Sequence, residues 1–408
     1  MKNKWWIGML AFLAVLGPGI ITSNVDNDAG GITTYSLAGA NFGYTLLWSL
    51  IPITLVLIIV QEMCARMGVV TGKGLADLIR ENYGVKITFL MMTALFFVNL
   101  GNTISEFAGI AASCEIFGVS KFLSVPLCAM AVWLLVVKGT YKSVEKVFLV
   151  ACVFYITYIF SGFLAKPDWA EVIPQTFKPA FQFRSFAYLT MLMGLVGTTI
   201  APWMQFYLQA SVVEKGVSLE NYKYSRADVV VGSFVVNFVA FFIIVACAAT
   251  IFKAGIHVET AKDAAMALAP LAGKYCASLF AFGLLNASLF AASILPLSTA
   301  YFICEAFGWE SGVNKKFREA PHFYSIYTGT IVFSAGLVLL PKFPLIKAMY
   351  ISQVINGILL PFVLIFMLLL INKRELMGGY INSRFFNIVS WVTVLALLGL
   401  SVGMLVTL

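Results

Sequence analysis

NVDNDAGG, residues 24–31, sets Asp26, Asn27, Asp28 and two glycines inside a hydrophobic segment. Before it, Trp5 to Ile21 is apolar apart from Gly17-Pro18-Gly19; after it, Ile32 to Ala40 resumes as a short helical piece. An acidic side chain at membrane depth costs about 2.5–3.5 kcal/mol on insertion scales. Paired glycines weaken helix at the same place. Irregular backbone at that depth is tolerated only where it lines a cavity or is buried in protein. The stretch therefore predicts a half-helix, an unwound ligand-bearing segment and a second half-helix. The competing reading is a loop between two short hydrophobic pieces.

The rest of the chain places this break in a membrane. It is 61% hydrophobic and 11% charged, with a mean hydropathy of +0.92, where soluble domains carry about 25% charged residues. Hydrophobic runs of spanning length recur from end to end. This is the composition of an all-α, multi-pass membrane protein, read as one transmembrane domain over residues 1–408. The N-terminal run reads as the first membrane helix, because Gly-Pro-Gly and the acidic stretch stand where a signal peptide has its small-residue cleavage site. The seven cysteines show no CxxC pair and fall mostly within spans, as small packing residues. A net charge of +8 carried in short loops is a topology signal and does not imply nucleic acid.

Eleven spans are predicted, at about 6–40 (broken near 25–31), 43–69, 87–116, 121–140, 146–165, 186–214, 227–252, 270–305, 322–341, 344–372 and 385–408. With the N-terminus in the cytoplasm, eighteen of the 27 Lys and Arg fall on the cytoplasmic side and nine outside. That excess favours a cytoplasmic N-terminus and an external C-terminus in a plasma membrane, with the short loops of a prokaryotic inner-membrane protein.

A second interruption lies in MLMGLVGTTIAPWMQFYLQAS, residues 191–211. Pro202 lacks a backbone donor and its ring clashes with the carbonyl four residues back. On its own this could be a simple kink. The first and sixth spans, however, are both interrupted at their centres and stand five spans apart. That is the sequence mark of a secondary transporter built from inverted repeats. The repeats cover about 6–165 and 186–372, with an extra helix at about 385–408. The breaks are assigned to Gly30, Gly31 and Pro202.

Half-helix ends and unwound carbonyls bind ions. Asp28 is the leading ligand, with Asp26 and Asn27 beside it; in extended backbone, residues 26 and 28 face the same way. Oxygen-only ligands with two negative charges suit Mg²⁺, Mn²⁺ or Ca²⁺. Asp26 has a competing role as a helix cap or vestibule residue. In the third span, Glu106 reads as a gate or proton site, with Asn102 beside it; a structural ion pair is the alternative. Gln353 and Asn356 complete a ligand shell or bond helix to helix. Glu62 pairs with Arg66 four residues on. No catalytic triad, metalloprotease or phosphate-loop spacing appears, so the chain does not read as an enzyme or a nucleotide-driven pump.

Several stretches in order resemble the Nramp family of divalent metal transporters: GPGIITSNVDNDAGG, VTGKGLADLIRENYG, ISEFAGIAAS, AKDAAMALAPLAGKYCASLFAFGLL and SQVINGILLPF followed by KRELMGGYIN. The resemblance implies a LeuT-like fold of eleven helices with a metal site between the first and sixth helix breaks. The family's D-P-G-N motif falls on Asp28, Ala29, Gly30 and Gly31, so the ligand asparagine is lost. Its Met-Pro-His falls on Ala201-Pro202-Trp203, so the thioether and the histidine are lost. The carbonyl that binds metal three residues earlier falls on Thr198, and the helix-10 glutamine on Gln353. The sequence is similar to the family's magnesium-transporting branch.

The expected function is import of divalent cations by alternating access, with Mg²⁺ and Mn²⁺ favoured and proton coupling weak or absent. Loss of a soft ligand and a wider oxygen-lined site suit a cation that dehydrates reluctantly, and the missing histidines remove the usual proton carrier. The expected metal shell is Asp28, Asp26, Thr198, Ala201, Gln353 and Gly31. The alternatives are a proton-coupled Mn²⁺/Fe²⁺ importer and a cation-coupled symporter of a small organic solute. No cofactor is expected, and no partner beyond the transported ion and the bilayer.

Overall fold

The computed structural model describes residues 27–138, 156–268 and 273–407; Asp26, the Gly-Pro-Gly turn, Cys152 and the first part of the fifth predicted span lie outside them. Among the described residues every regular element is helical. Seven helical stretches there are long and apolar enough to cross a membrane.

The helices are α1 Ala29–Phe42, α2 Leu50–Thr71, α3 Leu75–Ile116, α4 Lys121–Val137, α5 Ile156–Leu164, α6 Trp169–Phe177, α7 Phe186–Thr199 and α8 Pro202–Glu214. After them come α9 Tyr222–Cys247, α10 Ala261–Ala264, α11 Cys276–Phe307, α12 Pro321–Val338, α13 Leu345–Ile371, α14 Arg374–Met377 and α15 Arg384–Thr407. Predicted spans two to four and six to eleven each coincide with helix, and the described part of the fifth does too.

Several boundaries differ from expectation; α2 begins at Leu50 rather than 43, and α9 at Tyr222 rather than 227. The first half-span resumes at Ala29, not Ile32, for reasons found at the site itself. α3 begins at Leu75 rather than 87, and is bent at Gly84, whose φ of 79° only glycine adopts freely. α6 lies in the polar stretch 166–184 that was read as a connection; Asp168 caps it by accepting from the Ala170 amide. α11 starts at Cys276 rather than 270.

Capping explains most ends. α2 stops where Gly72 turns left-handed and returns its N–H to the Gly68 carbonyl at 2.9 Å. α3 opens without a side-chain cap of its own. Glu305, near the end of α11, supplies one: its Oε2 accepts from the Ala76 amide at 3.3 Å. A Cβ on Gly74 would overlap that carboxylate and push it off its place.

α3 and α11 pack along each other and form the spine, with α13 against α3 and α7. α1 lies among α9, α13, α7 and α3. Gly197 and Gly357 bring α7 and α13 into near backbone contact, because a Cβ on Gly197 would overlap the Gln353 carbonyl and the Gly357 amide. α15 stands at the rim and buries only Ser390, Val394, Leu397 and Met404. The start of α1 and the gap between α7 and α8 are thereby held against α13 and α3.

Candidate metal-transport site

Asp28 is the N-cap of α1. Its backbone is extended, and its Oδ1 accepts from the Gly31 amide at 2.6 Å. The next orphan donor, the Ala29 amide, is taken by Glu106 Oε2 of α3 at 3.1 Å. A helix start leaves its first N–H groups unpaired, and two carboxylates satisfy them here. That is why the glycines join the first turn and the helix resumes three residues earlier than expected. Of the two acids in the motif, Asp28 is the one seen to cap. Asp26 lies outside the described residues.

Both carboxyls are buried, Asp28 to 4% exposure and Glu106 to none. They converge on one helix start, Asp28 through the Gly31 amide and Glu106 through the Ala29 amide. Among the described residues, no Lys, Arg or His forms an ion pair with either. Among the described residues, what opposes their charge is the positive end of α1. Buried carboxylates without a cationic partner are costly. Glu106 reaches the start of α1 because Gly109, one turn on, lets Ala29 and Ser288 press against α3; a Cβ there would overlap both.

The second interruption is a true gap between helices. α7 ends at Thr199, Ile200 has φ −126° and ψ 54°, Ala201 is extended at ψ 140°, and Pro202 is the first residue of α8. A proline excludes its predecessor from helical backbone and is favoured at a helix's first position. Pro202 thus separates two helices rather than kinking one. Ala201 has no side-chain cap, Thr198 and Ala201 are both 2% exposed, and Tyr35 Oη bonds Thr199 Oγ1 at 2.8 Å, joining α1 to the end of α7.

Gln353 of α13 lies directly on Gly30, where a Cβ would overlap its amide nitrogen. Its Oε1 accepts from Asn356 Nδ2 at 2.8 Å. Asn356 and Asn102 exchange hydrogen bonds at 2.9 Å in both directions, and Asn102 Nδ2 donates to Asn99 Oδ1 at 3.4 Å. Asn99 in turn donates to the Leu295 carbonyl at 2.8 Å and to Thr299 Oγ1 at 2.7 Å on α11. Asn102, expected at a gate, is here the middle of a buried amide chain.

The fold thus brings Asp28, Gly30, Gly31, Glu106 and Gln353 together, and Gly197 sets the α7 end beside the Gln353 backbone. Asn99, Thr299 and Gly109 escaped the sequence reading. Asn99, Asn102 and Glu106 are spaced i, i+3, i+7, one face of a helix, and that spacing is the signal that could have found Asn99. On α8, Gln205 is fully buried with neither amide atom bonded among the described residues. Glu62 and Arg66 pair as expected, at 3.1 Å.

The sequence profile of the Nramp family, described as natural resistance-associated macrophage protein-like, matches residues 19–407. The divalent metal cation transporter MntH of Bacillus subtilis is 24% identical over 99% of this chain and 94% of its own length. MntH of Deinococcus radiodurans is 26% identical over 97% and 90%. Among solved structures, the Eremococcus coleocola manganese transporter superposes with a TM-score of 0.80 at 20% identity, over 95% of this chain and 85% of its own. Mhp1, a nucleobase-cation-symport-1 family transporter, gives 0.59 at 12% identity, over 96% and 92%. These likenesses show the fold, that of the LeuT-like transporters.

Proposed function

The chain belongs to the Nramp family, and on that premise we propose that it imports divalent metal cations across the plasma membrane by alternating access, favouring the hard cations Mg²⁺ and Mn²⁺, with little or no proton coupling. The observation that carries this reading is the pair of buried carboxyls, Asp28 and Glu106, converging on one helix start without a basic partner among the described residues. The transported ion supplies the missing charge. Asp28 is the principal ligand and Asp26 a second one, direct or through water. Carbonyls near Thr198 and Ala201 contribute from the gap between α7 and α8.

Selectivity follows from what the motif positions lack. Ala201 and Gly31 bring no sulfur and no side-chain oxygen, which removes the soft ligand that separates Mn²⁺, Fe²⁺ and Cd²⁺ from hard cations and leaves room for retained water. Weak coupling follows from the surroundings of Glu106. Along its face of α3 stand Asn102 and Asn99, whose amides do not carry protons. A membrane potential of 100 mV favours entry of a double charge by about 4.6 kcal/mol, enough to drive uptake without a proton gradient. In this reading the first and sixth spans rock against a scaffold of the others, within two inverted repeats over about 6–165 and 186–372, with the helix at about 385–408 outside them, the N-terminus cytoplasmic and the C-terminus external.

The rival reading is proton-coupled Mn²⁺ or Fe²⁺ import, and the two buried carboxyls at one helix start favour it, since a proton neutralises one of such a pair as a cation would. Uptake of Mg²⁺ and Mn²⁺ into proteoliposomes, with Cd²⁺ as competitor and an internal pH dye, separates the two. Mg²⁺ entry with little Cd²⁺ competition and no acidification is the expected result. Mn²⁺ entry with acidification, strong Cd²⁺ competition and no Mg²⁺ flux would establish the rival.

A further inference from the structure

The amide chain has a direction, and that direction is fixed at its far end. A carbonyl oxygen only accepts, so the group facing Leu295 O must be the nitrogen of Asn99. Asn99 therefore turns its oxygen to Asn102, which must answer with nitrogen. The reciprocal pair of Asn102 and Asn356 passes the same sense on, and Asn356 presents nitrogen to Gln353. The oxygen of Gln353 is consumed by that bond. Its nitrogen is the end left against Gly30 and the Ser352 hydroxyl, 3.3 Å away. A carbonyl on α11 thus decides, through three asparagines, which end of a glutamine on α13 faces the start of α1.

We propose that Asn99, Asn102 and Asn356 are positioning residues that hold the nitrogen of Gln353, not its oxygen, toward Gly30 at the start of α1, two residues from Asp28, so that the coordination position a glutamine oxygen would fill is left to water. This rests on the assignment of Asp28 as the ion's ligand. An amide nitrogen cannot ligate a cation, but it donates well to the carboxylate and carbonyl groups of the acidic stretch. The ion keeps a water there, and that suits Mg²⁺, which sheds water reluctantly, better than Mn²⁺. All five side chains of the chain are buried (Asn99, Asn102, Thr299, Gln353 and Asn356 are at most 1% exposed), so bulk water does not scramble its polarity.

The device makes a sharp demand on Asn99, which lies three helical positions from Asn102 and seven from Glu106. Without its oxygen, the Asn102–Asn356 pair satisfies itself equally well in either sense. If both amides turn over, Gln353 must turn with them, and its oxygen then faces the start of α1. Asn99→Ala should therefore raise the preference for Mn²⁺ over Mg²⁺, read as the ratio of apparent affinities, by about fivefold, the worth of one exchanged hydrogen bond. Gln353→Ala in the same background should cancel the shift. Asn356→Leu frees the same oxygen from the other side and serves if Asn99→Ala does not fold.

The experiment is titration of the purified full-length protein, wild type and variants, with Mg²⁺ and with Mn²⁺, alongside proteoliposome uptake of each. A ratio that moves toward Mn²⁺ and returns when Gln353 is removed supports the proposal; loss of general stability would weaken both ions alike. An unchanged ratio, or a shift that survives Gln353→Ala, overturns it while leaving divalent transport standing. Absence of divalent binding and flux in the wild type would overturn the transport reading and this one with it.

Discussion

Asp28 does two jobs that different substitutions separate. As N-cap it satisfies the Gly31 amide, and as a buried charge it is proposed to hold the ion. Asparagine caps as well as aspartate, whereas alanine loses about 1 kcal/mol. Asp28→Asn should therefore keep the thermal midpoint of the detergent-solubilised protein and abolish divalent uptake. Asp28→Ala should abolish uptake and lower the midpoint as well. Full uptake by Asp28→Asn would remove the charge from the proposal. Glu106 differs, because its Oε1 has no bonding partner among the described residues while Oε2 holds the Ala29 amide. Glu106→Gln can still accept that bond, so the fold should survive and the affinity for Mg²⁺ should fall.

At the scale of elements, the packing of α7 on α13 depends on two glycines facing each other. A Cβ on Gly197 would meet backbone atoms, the Gln353 carbonyl and the Gly357 amide, which cannot swing aside. A Cβ on Gly30 would meet the end of the Gln353 side chain, which can. Overpacking costs about 1–3 kcal/mol where neighbours are fixed. Gly197→Ala should thus destabilise the protein more than Gly30→Ala, while Gly30→Ala should weaken cation binding by pushing the amide off the start of α1. Thermal unfolding of the two variants ranks the first effect, and Mg²⁺ titration reads the second. Equal midpoints would mean that α7 and α13 part more easily than their contact implies.

For the molecule as a whole, one buried polar cluster ties distant parts of the chain. Arg66 of α2 pairs with Glu62 and donates to the carbonyls of Tyr380 and Ile381 at 3.0 Å and to Asn382 Oδ1 at 2.5 Å. Tyr222, opening α9, bonds the other oxygen of Glu62. Arg66 and Glu62 side chains are 9% and 5% exposed, and removing one partner of a buried pair costs about 3–5 kcal/mol. Arg66→Met should therefore unfold at a clearly lower temperature than wild type, and adding Glu62→Gln should recover part of the loss. Additive losses would show that the two side chains act separately.

Much of this was open to reading in the chain itself. Hydropathy alone marks the spans, since a helix crossing lipid needs an apolar run of set length whatever its neighbours are. Asp28, Glu106, Asn102 and Gln353 stand out because polar groups in such runs are costly wherever they lie. The extent of α1 was less legible: Glu106 comes from 77 residues away to accept the Ala29 amide, and nothing local at Ala29 announces it. α6 was hidden because a short, half-exposed helix needs no long apolar run. The polarity of the amide chain was beyond sequence altogether. Asparagine and glutamine carry donor and acceptor on interchangeable ends, and only the Leu295 carbonyl, brought to Asn99 by the packing of α11 on α3, decides which end faces where.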